Sequence, residues 1–128
     1  MLNRSGIAKS TLTATKQILA NVELQSSIGC IVPQSLGVAV GSKKIVKAGT
    51  PIKVDLMNIN AAAVKADGTT AMNAVLLHDV DVTAGNANGT ALIFGFVNVN
   101  RVDSDVVTAI TTAAAAEGRS ALITFMKV

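Results

Sequence analysis

Aromatic side chains are nearly absent from this 128-residue chain: it has no Trp and no Tyr, and its three Phe (Phe94, Phe96 and Phe125) all lie in the second half. Without a stacking platform, and with basic residues spread singly among apolar ones, the chain lacks the usual surface for nucleic acid. A single cysteine, Cys30, excludes an intramolecular disulfide, and a single histidine, His78, leaves too few ligands for structural zinc. Charge is scarce as well, at 15% of residues against roughly 25% in an ordinary soluble domain. No apolar run approaches the ~20 residues of a membrane span. The first twenty residues carry Arg4 and Lys9 but no apolar leader segment, so synthesis in the cytoplasm, without a membrane partner, is expected.

What is present is Ala, Val, Thr and Asn. Half of the chain is hydrophobic, which predicts a core of small and β-branched side chains, and the length allows one compact body plus a tail. Low charge with high Val and Ile content excludes a disordered chain. A sparsely charged exterior fits a protein that covers much of its surface with other chains. The charge is also uneven. Residues 1–53 carry seven basic groups against Glu23 alone, whereas residues 54–128 carry four against seven acids. The N-terminal segment is therefore suited to an acidic partner surface.

Residues 1–25 support two readings. Ser10 to Thr15 alternate in the manner of a strand, while Ile18, Leu19 and Val22 stand at helical spacing. Residues 26–42, punctuated by Gly29, Pro33, Gly37 and Gly41, read as a loop-rich linker. From Lys43 the pattern sharpens. Lys44 to Lys47 is strand-like, Gly49 to Pro51 is a turn, and Ile52, Val54 and Leu56 alternate with polar neighbours. Asp67-Gly68 marks a turn, Val80 and Val82 oppose Asp79 and Asp81, and Gly85 to Gly89 reads as a loose hairpin loop. In residues 90–99, Leu92, Phe94 and Phe96 share one face by alternation, with Ile93, Val97 and Val99 on the other and Gly95 permitting a bulge or close approach. Asp103 or Ser104 caps a helix with Val106, Val107, Ile110, Ala113 and Ala114 as its apolar stripe and Gly118 at its end. A last strand follows in residues 120–128. The predicted fold is α+β, mainly β: a small β-rich body over residues 43–128 with one C-terminal helix and a final strand, preceded by an extended N-terminal arm and linker over residues 1–42.

Catalytic constellations are thin. Cys30, His78 and an Asp would be the parts of a hydrolase, but Asp79, next to His78 on a strand, points to the opposite face and cannot orient the ring. Two Asp-x-Asp pairs, Asp79/Asp81 and Asp103/Asp105, could hold a divalent cation if the fold joined them; solvated strand and helix-cap carboxylates are the plainer reading. No cofactor, metal or enzymatic activity is expected.

The order of elements carries a resemblance. Val64 to Thr70 with its Asp67-Gly68-Thr69 turn, Asn73 to Asp81, Leu92 to Asn98, an Ala-rich helix over residues 105–116 and an apolar strand over residues 121–126 together resemble the head decoration proteins of tailed bacteriophages, the phage lambda decoration-protein-like family. The resemblance spans about residues 44–128. Asn73-Ala74 stands where the family pattern has a small residue and Gly, and Gly95 comes two residues early. It implies a homotrimer on the outer surface of the expanded capsid at local three-fold positions, stabilising the head against internal DNA pressure, with the major capsid protein as partner. The arm would order against the shell through Arg4, Lys9, Leu12, Ala14, Lys16 and Ile18, with no direct contact to nucleic acid. Phe94 and Phe96 are the candidates for the trimer interface, core packing being the other role open to them. Another non-enzymatic virion component, such as a tail-tube, fibre-base or head-completion module, would share this composition.

Overall fold

The computed structural model describes residues 17–114 and 122–128. Along the chain come β1 (Ser26–Val32), a 3-10 turn (Gln34–Leu36), β2 (Val38–Val40), β3 (Lys43–Val46), β4 (Pro51–Lys53), β5 (Val64–Lys65), β6 (Ala74–Leu76), β7 (Val80–Asp81) and β8 (Ala87–Asn98). A second 3-10 turn (Val99–Arg101), the helix α1 (Ser104–Ala114) and β9 (Leu122–Met126) follow. The expected β-rich body with one helix and a final strand is what the described residues form.

A six-stranded sheet runs β1-β8-β6-β4-β5, with β9 also paired to β8, and β2-β3-β7 form a smaller sheet. All named pairings are antiparallel except β8 with β9. The crossover through α1 is what allows that pair to be parallel, since a short hairpin could not join them. The larger sheet is apolar on both faces. Leu92, Val75 and Val97 point into one core, roofed by Val106, Ile110 and Ala113 of α1. Ala91, Ala74 and Leu76 point into another, closed by Val46, Val80 and Val82 of the smaller sheet. This alternation of neighbours between two cores explains why β6 and the 91–93 stretch of β8 read as continuous apolar runs.

Two glycines are fixed by packing. Gly49, at φ 94°, occupies a left-handed conformation, and a Cβ there would stand 2.9 Å from Val102 and 3.2 Å from Val106, so the β3–β4 turn tucks beneath the helix. Lys47, two residues earlier, reaches Asp103 and Asp105 at 3.3 and 3.2 Å and ties that turn to the helix start. Gly89 was expected in a hairpin loop. It lies instead within β8 opposite Cys30, where a Cβ would meet the side chains of Val32 at 2.8 Å, Val80 at 3.1 Å and Leu76 at 3.2 Å; core packing, not turn chemistry, favours glycine there.

The folded body begins earlier in the chain than the sequence pattern places it. Residues 26–32, read as part of a loop-rich linker, form β1, paired with β8 over its full length. Ile18, expected to contact a partner, is fully buried in the helix-side core. Its carbonyl accepts the Asn98 N–H at 2.8 Å, Leu19 bridges to Val97, and the Ala20 N–H donates to the Phe96 carbonyl at 2.9 Å. The body therefore includes residues 18–32, and the helical reading of Ile18, Leu19 and Val22 gives way to antiparallel pairing. Arg4, Lys9, Leu12, Ala14, Lys16 and Gly118 lie outside the described residues.

Candidate interaction surface

Phe94 and Phe96 owe their position to one irregularity. Ser27 pairs with Leu92 but Ser26 pairs with Phe94, so β8 carries one more residue than β1 between those points. An extra residue in a strand inverts the side-chain phase beyond it. Leu92 faces the helix-side core, yet after the bulge it is Val97 that does so, while Phe94 and Phe96 turn to the opposite face. The expected grouping of Leu92 with Phe94 and Phe96 is thus broken at the bulge. The close approach expected at Gly95 is present: a Cβ there would lie 3.4 Å from both Gln25 Cβ and the Leu24 carbonyl oxygen.

On this outward face β8 and β9 run in step, Phe94 beside Leu122, Phe96 beside Thr124 and Asn98 beside Met126. Phe94 is 41% exposed and Leu122 70%. Phe96 and Met126, with Ala20, Asn21 and Leu24, line a shallow depression of about 270 Å³. Neither Phe94 nor Phe96 belongs to a core cluster of the described residues. The rim is held from below by Asn98, 4% exposed, whose amide donates to the Val128 carbonyl and whose carbonyl accepts from the N–H groups of Asn100 and Val128. This buried polar group is satisfied, and it sets the end of β9 against β8.

A second apolar exposure lies on the loop between β4 and β5. Leu56 is 53%, Met57 94% and Ile59 48% exposed. The loop is nonetheless built: Asp55 accepts the Met57 N–H on its carboxylate and the Asn58 N–H on its carbonyl, and the Asn58 carbonyl accepts from Ala61. Its return is anchored by the Ala63 N–H on the Ile31 carbonyl at 2.9 Å.

The residues considered for catalysis are placed apart from one another in role. Cys30 is buried in the core that the small sheet closes, and burial pushes its thiol above the ordinary value despite a hydrogen bond with the Gly89 backbone. That is the reverse of an activated nucleophile. His78 has a buried Nδ1 with no hydrogen-bond partner, and Asp79 is engaged with the Ala48 N–H at 2.7 Å. Asp81 accepts from Thr83, whose hydrogen bonds hold its carboxyl below the usual range, while Asp103 and Asp105 meet Lys47. The two Asp-x-Asp pairs thus serve separate local contacts, and no group of three metal-ligating side chains occurs among the described residues.

No helix among the described residues is long and apolar enough to cross a membrane. Neither the family models nor the curated proteins contain a match to this sequence.

Proposed function

We propose that the chain is a structural virion protein that binds the outer surface of an expanded phage capsid as a trimer at local three-fold positions and stabilises the head. The observation that carries this reading is the apolar outer face of β8 and β9, where Phe94 and Leu122 stand in register and exposed. Large apolar side chains on an ordered sheet face favour protein contacts, since association removes them from water at little entropic cost. The resemblance of residues 44–128 to the decoration proteins supplies the kind of assembly, and the basic residues 4, 9 and 16 supply a leader suited to capsid carboxylates. Three leaders on one trimer would hold the shell together by avidity. A protein that binds only the mature shell shifts the equilibrium against rupture.

The test is the mass of the purified chain with and without expanded empty capsids. A trimer that loads to one copy per major capsid subunit is the expected result, and a chain that does not load overturns the reading. Deletion of residues 1–16 should leave the described fold intact and abolish capsid binding. A truncated chain that still binds at full occupancy removes the leader from the mechanism.

A further inference from the structure

The covers of the two cores leave a gap between them. Helix α1 roofs one core through Val106, and the 3-10 turn before β2 packs on the other through Leu36. Between them is a cavity of about 300 Å³, with Leu36, Val38, Val106 and Ala109 as its apolar wall and Lys47, Lys65 and Asp105 as its charged groups. That volume is at the lower end of small-molecule sites.

The walls are fixed without an occupant. Gly37 lies so close to the small sheet that a Cβ would stand 2.6 Å from Val82. The Thr50 hydroxyl donates to the Lys47 carbonyl at 2.6 Å and holds the β3–β4 turn, while the Lys47 ammonium joins that turn to Asp103 and Asp105. A cavity framed in this way is preformed, so little binding free energy is lost in ordering it.

Charge selects the class of ligand. Asp103 and Asp105 both converge on Lys47, so a cation would have to compete with that ammonium for them. Lys65 is exposed and makes no ion pair among the described residues. Asp67, which feels the Lys65 charge, accepts hydrogen bonds from Thr69 and Thr70 instead. One cation is therefore left over beside the cavity, which suits a monoanion; a dianion would add repulsion from Asp105. The wall is aliphatic, and no aromatic side chain among the described residues lines the cavity, which favours a hydrocarbon body over a stacked ring.

The geometry points to a binding site for a short aliphatic monocarboxylate, its carboxylate on the Lys65 ammonium and its body against Leu36, Val38, Val106 and Ala109. A ligand there bridges β5, the turn before β2 and the helix, and so stabilises the folded chain. The site needs no second chain, so the outcome of the capsid test leaves it standing.

Titration of the isotope-labelled full chain with isovalerate, followed by amide chemical shifts, tests this. Isovaleramide, of the same shape without the charge, is the control, and inorganic phosphate tests the choice of anion. Isovalerate should give saturable shifts at residues 35–38, 47–50 and 105–109, with a Kd on the order of 1 mM, and should raise the melting temperature. Lys65→Met, at an exposed position, should weaken binding at least about tenfold. Ala109→Leu, which fills the cavity from its wall, should abolish it, and amide spectra matching the parent elsewhere verify both folds. Absence of shifts at these residues, equal shifts with isovaleramide, equal binding of phosphate, or a Lys65→Met chain that binds as the parent does each overturns the assignment.

Discussion

The two halves of β8 differ in what becomes of their apolar side chains. From Ala87 to Leu92 the strand lies between β1 and β6 and feeds a core on each face. From Phe94 to Asn98 it lies between the 18–20 segment and β9, and among the described residues only one face is covered. Apolar residues in the first half are accounted for by folding. Those on the open face of the second are not, and that surplus points to assembly. The difference arises from the single extra residue at the bulge, which turns two Phe side chains away from the core that Leu92 enters.

Substitutions should separate the halves. The largest effect is expected for Leu92→Ala, which removes a fully buried side chain and should cost about 3–5 kcal/mol in urea unfolding. Gly49→Ala, which combines a left-handed backbone with contact on Val102, should cost about 2 kcal/mol or more. Asn98→Ala leaves the Val128 and Asn100 N–H groups without their acceptor and should cost about 1–3 kcal/mol, loosening β9. Phe94→Ser belongs to the open face. It should change monomer stability by less than about 1 kcal/mol while reducing the sedimenting mass, and a stability loss as large as that of Leu92→Ala would return Phe94 to the core.

The smallest expected effects are electrostatic. Hydrogen bonds from the Thr70 and Thr69 N–H groups hold the Asp67 carboxyl below its ordinary value. Its contribution to stability is therefore present above the unfolded value of about 3.9 and is lost as pH falls through the lower folded value. Asp67→Asn should flatten the acid limb of the stability curve. Lys47 shifts the other way, raised by Asp105 and Asp103. Its contribution is complete below the unfolded value of about 10.4 and fades as pH rises through the folded one; Lys47→Met should remove that alkaline dependence.

Much of the body was legible in the sequence. The helix stripe at Val106, Ile110 and Ala113, the alternation of Val80 and Val82 with Asp79 and Asp81, and the Asp67 turn all depend on local periodicity, which survives into the fold. What was hidden depends on partners distant in the chain. Residues 26–32 look like a linker because Gly29 and the nearby Pro33 weaken the strand signal, yet seven pairings with β8 override local preference. Ile18 looks like part of a leader because nothing nearby announces the Val97 and Asn98 edge that receives it. Phe94 and Phe96 were identifiable as interface candidates, but their orientation needed the bulge, and strict alternation puts them on the wrong face. The exposed apolar loop at 55–60 is not legible in the sequence: alternation places Leu56 in a half-buried strand that in fact ends at Lys53.

The parallel pairing of β8 and β9 has a kinetic consequence. Half of the apolar face comes from β8 and half from β9, and the two meet only after the chain has crossed over through α1. Closing that long loop costs more entropy than forming a hairpin. A copy whose β9 has not docked carries Phe94 without Leu122 and lacks the Met126 wall of the depression. In the proposed assembly an incompletely folded copy would lack half of that face, and completion of the crossover would act as a proofreading step on what is incorporated.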